Sequence, residues 1–349
     1  MKIRAVTMHE VEFSPNNCLR DIKSISSRIV ECNEDVLSLR LSLVADSINS
    51  SFIDTLSKIV KVNELSYISI WLEDVVNLDD VVELLKLSNK IYVSFMYSRD
   101  LPFKVSELLL KVYERLGWRG CSRLGLSISE PPQTPYFPVN KPYERGFTVS
   151  LLYPKYMLSL LNSGYSLTES LELIAERTLR LCRKLEDKLP FLGVDYSLSP
   201  WMDDSVVELV ERVGGIKFGN PGTISAIVDI NRALQKIANK YDGIGFNEIM
   251  LPYAEDNGLK ELARQGLLTL KDLLCYTVYC VAGLDMVLVP LEPGIKFVDL
   301  MLEDLIRAQA LKNKCIGFRL LLINLPPHSE ADLGTVSYTH LTLPTTERV

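Results

Sequence analysis

An α/β fold with a mostly parallel sheet is predicted from three observations. Short apolar runs alternate with longer amphipathic segments along nearly the whole chain. The runs are rich in Val, Ile, Leu and Tyr without clean polar alternation, as in strands buried on both faces. The strand–helix order recurs, which implies parallel neighbours joined by helices in an open or closed sheet.

Ten strands are expected. Five come first: Lys2–Met8, Ser38–Val44, Tyr67–Leu72, Ile91–Tyr97 and Arg123–Ser129. Five follow: Phe147–Leu152, Gly193–Ser199, Gly245–Leu251, Asp285–Val289 and Gly317–Ile323. The commonest closed answer to this pattern is a (β/α)8-type barrel, which ten strands overshoot. Pro15–Cys32 carries Leu19, Ile22, Ile25 and Ile29 as one apolar stripe, so it reads as a helix. Pro102–Leu116, Ser166–Leu189, Thr223–Lys240 and Ile295–Lys312 are equally periodic. Ser166 and Glu169 have capping-box spacing.

The segment from Glu130 to Pro142 separates the two groups of strands. It is rich in proline and lacks periodicity, so it is an irregular loop. It is either a linker between halves (about residues 1–130 and 145–334) or a long functional loop inside one domain. Tyr136, Phe137 and Tyr143 either form a lid or dimer contact, or pack the loop down. Residues 335–349 fit no element and are expected to be a non-native read-through tail, so the domain is read as 1–334.

The composition narrows the function classes. A formal charge of −6, without a basic stripe interleaved with aromatics, argues against nucleic acid. Arg177, Arg180, Arg183 and Lys184 lie among acidic residues at helical spacing and read as a solvated face. No apolar run reaches membrane-span length, and the N-terminal run is too short for a signal peptide. Seven dispersed cysteines point to a reducing cytoplasm. A homodimer is plausible on general grounds.

Carboxylates carry the candidate site. Asp195, Asp203, Asp204, Glu248, Glu255 and Asp256 fall in or just beyond two expected strands. Ligands bind at the carboxyl ends of strands in α/β folds. If the two strands are neighbours, these groups converge at one mouth. Uncompensated carboxylates raise one another's pKa, so the cluster asks for a cation or a proton role. Asp195, Glu248 and Asp204 are the catalytic candidates. Asp195, Asp203, Asp204, Glu255 and Asp256 are the candidate ligands of a divalent cation, Mg²⁺, Mn²⁺ or Ca²⁺. The structural alternative is that Asp204 and Asp256 cap the helices that follow them.

Other features read as structural. Lys217–Gly222 lacks a complete phosphate-loop pattern and is a connecting turn. Cys275 and Cys280 have no zinc spacing and no nearby histidine, so they are read as buried small hydrophobes. Asp285 either orients a ligand or caps a turn after Gly283. His9 and His328 are too few for a nucleophilic triad.

Three motifs in order resemble a known family: Gly193–Pro200 with Asp204-Ser205-Val206, Gly245–Pro252 with Glu255-Asp256, and Cys280–Val287 with Pro290. They are similar to the uncharacterised prokaryotic family called domain of unknown function 711, over essentially residues 1–334. The resemblance implies a fold like the pyruvate formate-lyase-like glycyl radical enzymes, a ten-stranded α/β barrel of two five-stranded halves. It implies no activity. Arg212-Val213-Gly214-Gly215 superficially resembles a radical-glycine loop, but Ile216 follows and the motif lies mid-chain. Gly214-Gly215 reads as a helix C-cap, so radical chemistry is not expected.

Two functions remain open. One is an enzyme acting on a small polar metabolite at a carboxylate-lined mouth. The other is a non-catalytic small-molecule-binding or regulatory protein. Perturbed carboxylates around an open pocket favour the first. A plugged interior with its charges paired to Arg or Lys favours the second.

Overall fold

A computed structural model describes residues 1–75, 77–280, 283–326, 329 and 331. His328 and the tail 335–349 lie outside the described residues. The first five strands are β1 (Lys2–Glu10), β2 (Leu39–Ala45), β3 (Tyr67–Leu72), β4 (Ile91–Met96) and β5 (Leu124–Ile128). The others are β6 (Gly146–Leu152), β7 (Phe191–Asp195), β8 (Leu284–Pro290) and β9 (Ile316–Ile323). All nine belong to one sheet, in the order β7-β6-β1-β2-β3-β4-β5-β9-β8. β1 to β5 are mutually parallel. The pairs β6/β7 and β8/β9 are each parallel and join β1 and β5 antiparallel. Strands from before and after the Pro-rich segment therefore share one sheet.

The eighth of the ten expected strands, Gly245–Leu251, is not a strand. The chain around it meets β7 and the residues that follow β7 through isolated bridges, Val194 with Gly243 and Leu198 with Ile249. Side chains take the place of a ladder here. The Asp195 carboxylate accepts the Phe246 and Asn247 backbone N–H groups at 2.9 and 3.1 Å, and Asn247 Oδ1 accepts from Tyr196 N at 2.9 Å. Asn247 itself is left-handed, with φ 55°.

The helices follow their patterns. Pro15–Cys32 is helical with proline in its first turn and left-handed Asn33 as its C-cap. The helix after Ser166 has the expected capping box with Glu169 and ends at Leu185. The fourth helix starts late, at Val105, and runs to Cys121 across a kink at Gly117. Gly215 is the left-handed C-cap of Val207–Gly214, as the Gly-Gly pair implied. Arg177, Arg180, Arg183 and Lys184 all face solvent.

The sheet corrects one expectation. Its faces are chemically different, whereas strands apolar on both faces were expected. Pairing and alternation place Thr7, Arg40, Ser42, Tyr67, Ser69, Tyr92, Ser94, Gly125, Ser127, Thr148 and Ser150 on one face. The opposite face carries Val6, Leu41, Ile70, Val93, Leu126 and Val149, which join Ile22, Ile25, Leu108 and Val112 of the helices in one core. Most of the polar face is nonetheless buried, because the Pro-rich loop lies across it, while Arg40, Tyr67 and Tyr92 stay half-buried beside the loop. Thr7 Oγ1 donates to Pro135 O at 3.1 Å, and Ser69 Oγ donates to Pro138 O at 3.3 Å. Ser42 Oγ donates to Asn140 Oδ1, and Asn140 Nδ2 donates to Tyr136 O at 3.0 Å. Gln133 Oε1 accepts the Tyr143 and Glu144 N–H groups, giving the proline-interrupted backbone partners it otherwise lacks.

Candidate functional site

Past the edge of this loop lies a cavity of about 330 Å³. Phe137, Pro138 and Val139 of the loop form one wall, and Tyr67 and Tyr92 of β3 and β4 form another. Trp201, Phe246 and Met250 close the far side. Tyr67 and Tyr92 meet edge to face at 5.2 Å, and Tyr92 leans on Phe137 at 5.9 Å. Tyr136 is buried and donates to Ser197 O at 3.2 Å, so it packs the loop inward.

Charged groups line the same space. Arg4 of β1 donates from Nη2 to Glu255 Oε2 at 2.8 Å and from Nη1 to Pro200 O at 2.5 Å. Arg319 of β9 grips Asp285 with both Nε and Nη2, at 2.5 and 2.9 Å, and reaches Glu255 Oε1 at 3.3 Å. Glu255 thus bridges two arginines, and β1, β8 and β9 are tied to the turn Tyr253–Glu255. Burial pushes the Asp285 carboxyl up, against the pull of Arg319. Burial also works against the Arg319 charge, but Asp285 and Glu255 outweigh it and hold the guanidinium protonated. Arg40 of β2 donates from Nε to Ser38 Oγ at 2.9 Å and from Nη1 to Pro135 O at 3.3 Å. Burial, then the nearby Arg4, lowers its pKa to about 10, so it stays charged at neutral pH.

The six expected carboxylates go elsewhere. Asp195 is fully buried at the end of β7. It accepts from Thr134 Oγ1 at 2.7 Å, Ser197 N at 3.0 Å and Ser197 Oγ at 2.6 Å, besides Phe246 N and Asn247 N. Burial raises its pKa while these donors oppose the rise. Glu248 pairs with Lys312 at 2.7 Å and Lys314 at 2.6 Å. Asp256 caps Asn257–Arg264 and also accepts Val206 N, at the start of the helix Val207–Gly214. Asp204 does not cap that helix; it accepts Lys155 N at 2.6 Å, in the first turn of Pro154–Asn162. Asp203 accepts from Asn257 at 2.6 Å. Of the six, only Glu255 lines the cavity. Among the described residues no three His, Cys, Asp or Glu side chains gather so as to hold a metal ion.

The remaining candidates are placed as follows. Asp285 lines the cavity, held there by Arg319. His9 is buried on the polar face, hydrogen-bonded through Nε2 to Thr148 at 2.8 Å, and burial lowers its pKa to about 3. Cys280 is buried and pushed up to about 12 by that burial. Cys275 is exposed, contrary to expectation, because its short helix turns that position outward. Lys217–Gly222 is a turn in which Gly219 N donates to Thr223 Oγ1 at 3.0 Å. Arg4, Arg40, Tyr67, Tyr92 and Arg319 were not foreseen as site residues. The available signal was a single large polar residue at the alternate positions of otherwise apolar strands, as in Leu39-Arg-Leu-Ser-Leu43 and Gly317-Phe-Arg-Leu-Leu321.

Comparison with known proteins places the chain near one group. The family described as Uncharacterised ACR (DUF711) matches residues 104–326. A UPF0210 protein of Sulfurisphaera tokodaii is 32% identical over 149 residues, 41% of this chain and 33% of its own length. One of Clostridium botulinum is 31% identical over 164 residues, 46% of this chain and 35% of its own. One of Lactobacillus helveticus is 33% identical over 138 residues, 38% of this chain and 31% of its own. The matched stretch spans about a third of the length of these curated relatives.

Proposed function

The chain belongs to the uncharacterised DUF711 family, and we propose that it binds a small polar molecule in the cavity between the Pro-rich loop and the arginine-bearing strands. The observation that carries this reading is the ionic group Arg4–Glu255–Arg319–Asp285 on the wall of a cavity of about 330 Å³. A concave space with aromatic walls and a few convergent polar groups is the usual form of a small-molecule site. Buried ion pairs do not make a fold more stable than apolar residues of the same volume. Four charged side chains kept beside an open space are therefore better explained by use than by packing.

Binding is favoured over catalysis. The oxygens of Asp195 and Glu248 are committed to protein donors, and the loop fills the polar face of the sheet. The carboxylates that do face the cavity are held by arginines. In this reading residues 1–334 form one domain. Its sheet closes into the ten-stranded barrel of two opposed halves, with residues 243–249 as the irregular tenth member beside β7. The packing of the turn Tyr253–Glu255 against β8 supports that closure. Seven free cysteines support a reducing, cytoplasmic setting. Among the described residues no helix is long and apolar enough to cross a membrane.

The test is a thermal-shift screen of small polar metabolites on the wild type and on Leu37→Trp. Leu37 is 45% exposed at the cavity rim, so the larger ring narrows the entrance without entering the core. A ligand at about 100 times its Kd stabilises by about 2.7 kcal/mol. The expected result is a shift of several degrees in the wild type that is lost in the variant. A shift retained in full by the variant would place binding elsewhere.

A further inference from the structure

We infer that the ligand carries an anionic oxygen group, a carboxylate or a phosphate, and that Arg40 is the residue that reads it. This rests on the cavity being a binding site and adds the chemical class of what it takes.

The first argument is charge. The cavity wall holds three guanidiniums, Arg4, Arg40 and Arg319, against two carboxylates, Glu255 and Asp285. Arg4 and Arg319 are paired with those carboxylates. Arg40 has no carboxylate partner among the described residues; its acceptors are the neutral Ser38 Oγ and Pro135 O. One positive charge is left over, half-buried in the cavity wall and without a carboxylate of its own. An anion entering the cavity balances that charge, and a cation adds to it.

The second argument is the supply of hydrogen-bond donors. Arg40 Nη2 has no partner among the described residues, and neither do the hydroxyls of Tyr67 and Tyr92. All three side chains line the cavity. Burial pushes the Tyr92 phenol up to about 12, so it remains a donor across the neutral range. Three unused donors around one space match the lone pairs of a carboxylate or phosphate.

The third argument is rigidity. The Arg40 guanidinium lies over the rings of Tyr67 and Phe137, at 5.6 and 5.1 Å from their centroids. Its Nε and Nη1 are anchored to Ser38 and Pro135. The side chain is fixed before the ligand arrives, so little rotamer entropy is lost on binding.

Isothermal titration of the full chain with benzoate, phenyl phosphate and the uncharged benzamide tests this. At least one anion is expected to bind about tenfold or more tightly than benzamide, the usual range for a charge-assisted hydrogen bond. A preference for benzoate identifies a carboxylate ligand, and a preference for phenyl phosphate a phosphate ligand. Arg40→Met is expected to weaken the preferred anion about tenfold or more and to abolish its advantage over benzamide. Tyr92→Phe, which removes one hydroxyl, is expected to weaken the anion several-fold and serves if Arg40→Met does not fold. Benzamide binding as tightly as both anions would overturn the inference while leaving the cavity a binding site. No binding of any probe to folded protein would overturn both.

Discussion

Replacing Gly125 by alanine puts a methyl group where the Pro-rich loop crosses the sheet. A Cβ at this position overlaps the Pro138 ring and stands 3.2 Å from Val139 Cγ2. The loop can respond in two ways. It can shift locally, which for an overpacked methyl costs about 1–3 kcal/mol. Removing glycine from a strand returns about 0.5–1 kcal/mol, leaving a net loss of about 0.5–2 kcal/mol. Alternatively the loop can leave the sheet. That abandons its hydrogen bonds to Thr7, Arg40, Ser42, Ser69 and Asp195, together about 5 kcal/mol at about 1 kcal/mol each. The local shift is cheaper, so the fold survives and the cavity wall of Phe137, Pro138 and Val139 is what moves. With unfolding entropy near 2.1 cal/mol/K per residue, each kcal/mol lowers the Tm of a chain this long by about 1.4 °C. Differential scanning calorimetry of Gly125→Ala is expected to show a Tm about 1–3 °C lower, with weaker binding of any cavity ligand. An unchanged or higher Tm with unaltered binding would refute the account, because Pro138 could not then lie against Gly125.

Two further outcomes follow from buried carboxylates. Asp195→Ala strips five donors of their acceptor and unties the loop from β7, so a loss of about 3–5 kcal/mol is expected, read as a Tm drop of about 4–7 °C; a drop under 1 °C would show that Asp195 does not hold these segments together. Glu10 is raised from 4.5 to about 7 by burial, opposed by Arg145 and reinforced by Asp21. Its folded-state pKa lies above the unfolded value, so its stabilising contribution is full below about pH 4.5 and is lost as pH rises to about 7. Glu10→Gln is accordingly expected to flatten the fall in Tm between pH 5 and pH 7; parallel wild-type and variant curves would contradict this.

Much of the fold was legible because local chemistry and tertiary structure agree. Tyr67–Leu72 and the helices Pro15–Cys32 and Thr223–Lys240 occur with the bounds their periodicity predicts. The failure at Gly245–Leu251 is local. An apolar run there is diverted from a ladder by a buried aspartate far away in sequence, which no periodicity reveals. The site was harder for two reasons. The carboxylates clustered along the sequence, but each finds its own donor across the fold, so proximity in the chain did not become proximity in space. Arg4, Arg40 and Arg319 stand alone in their strands and become a group only when the sheet brings β1, β2 and β9 around one cavity. The alternation that marks the polar face was present in β2 to β6. It was hidden because Ser, Tyr and Gly count as neither strongly polar nor clearly apolar. That a proline-rich segment would cover this face followed from nothing local to it.

The most direct measurement is a crystal structure of the protein soaked with whichever of benzoate or phenyl phosphate binds more tightly. The account predicts the anionic group in the cavity beside Arg40, within hydrogen-bond distance of Nη2, with the aromatic ring against Tyr67, Tyr92 or Phe137. A ligand bound on the outer surface while the cavity stays closed to it, or one lodged in the cavity with its anionic group turned away from Arg40, would contradict it.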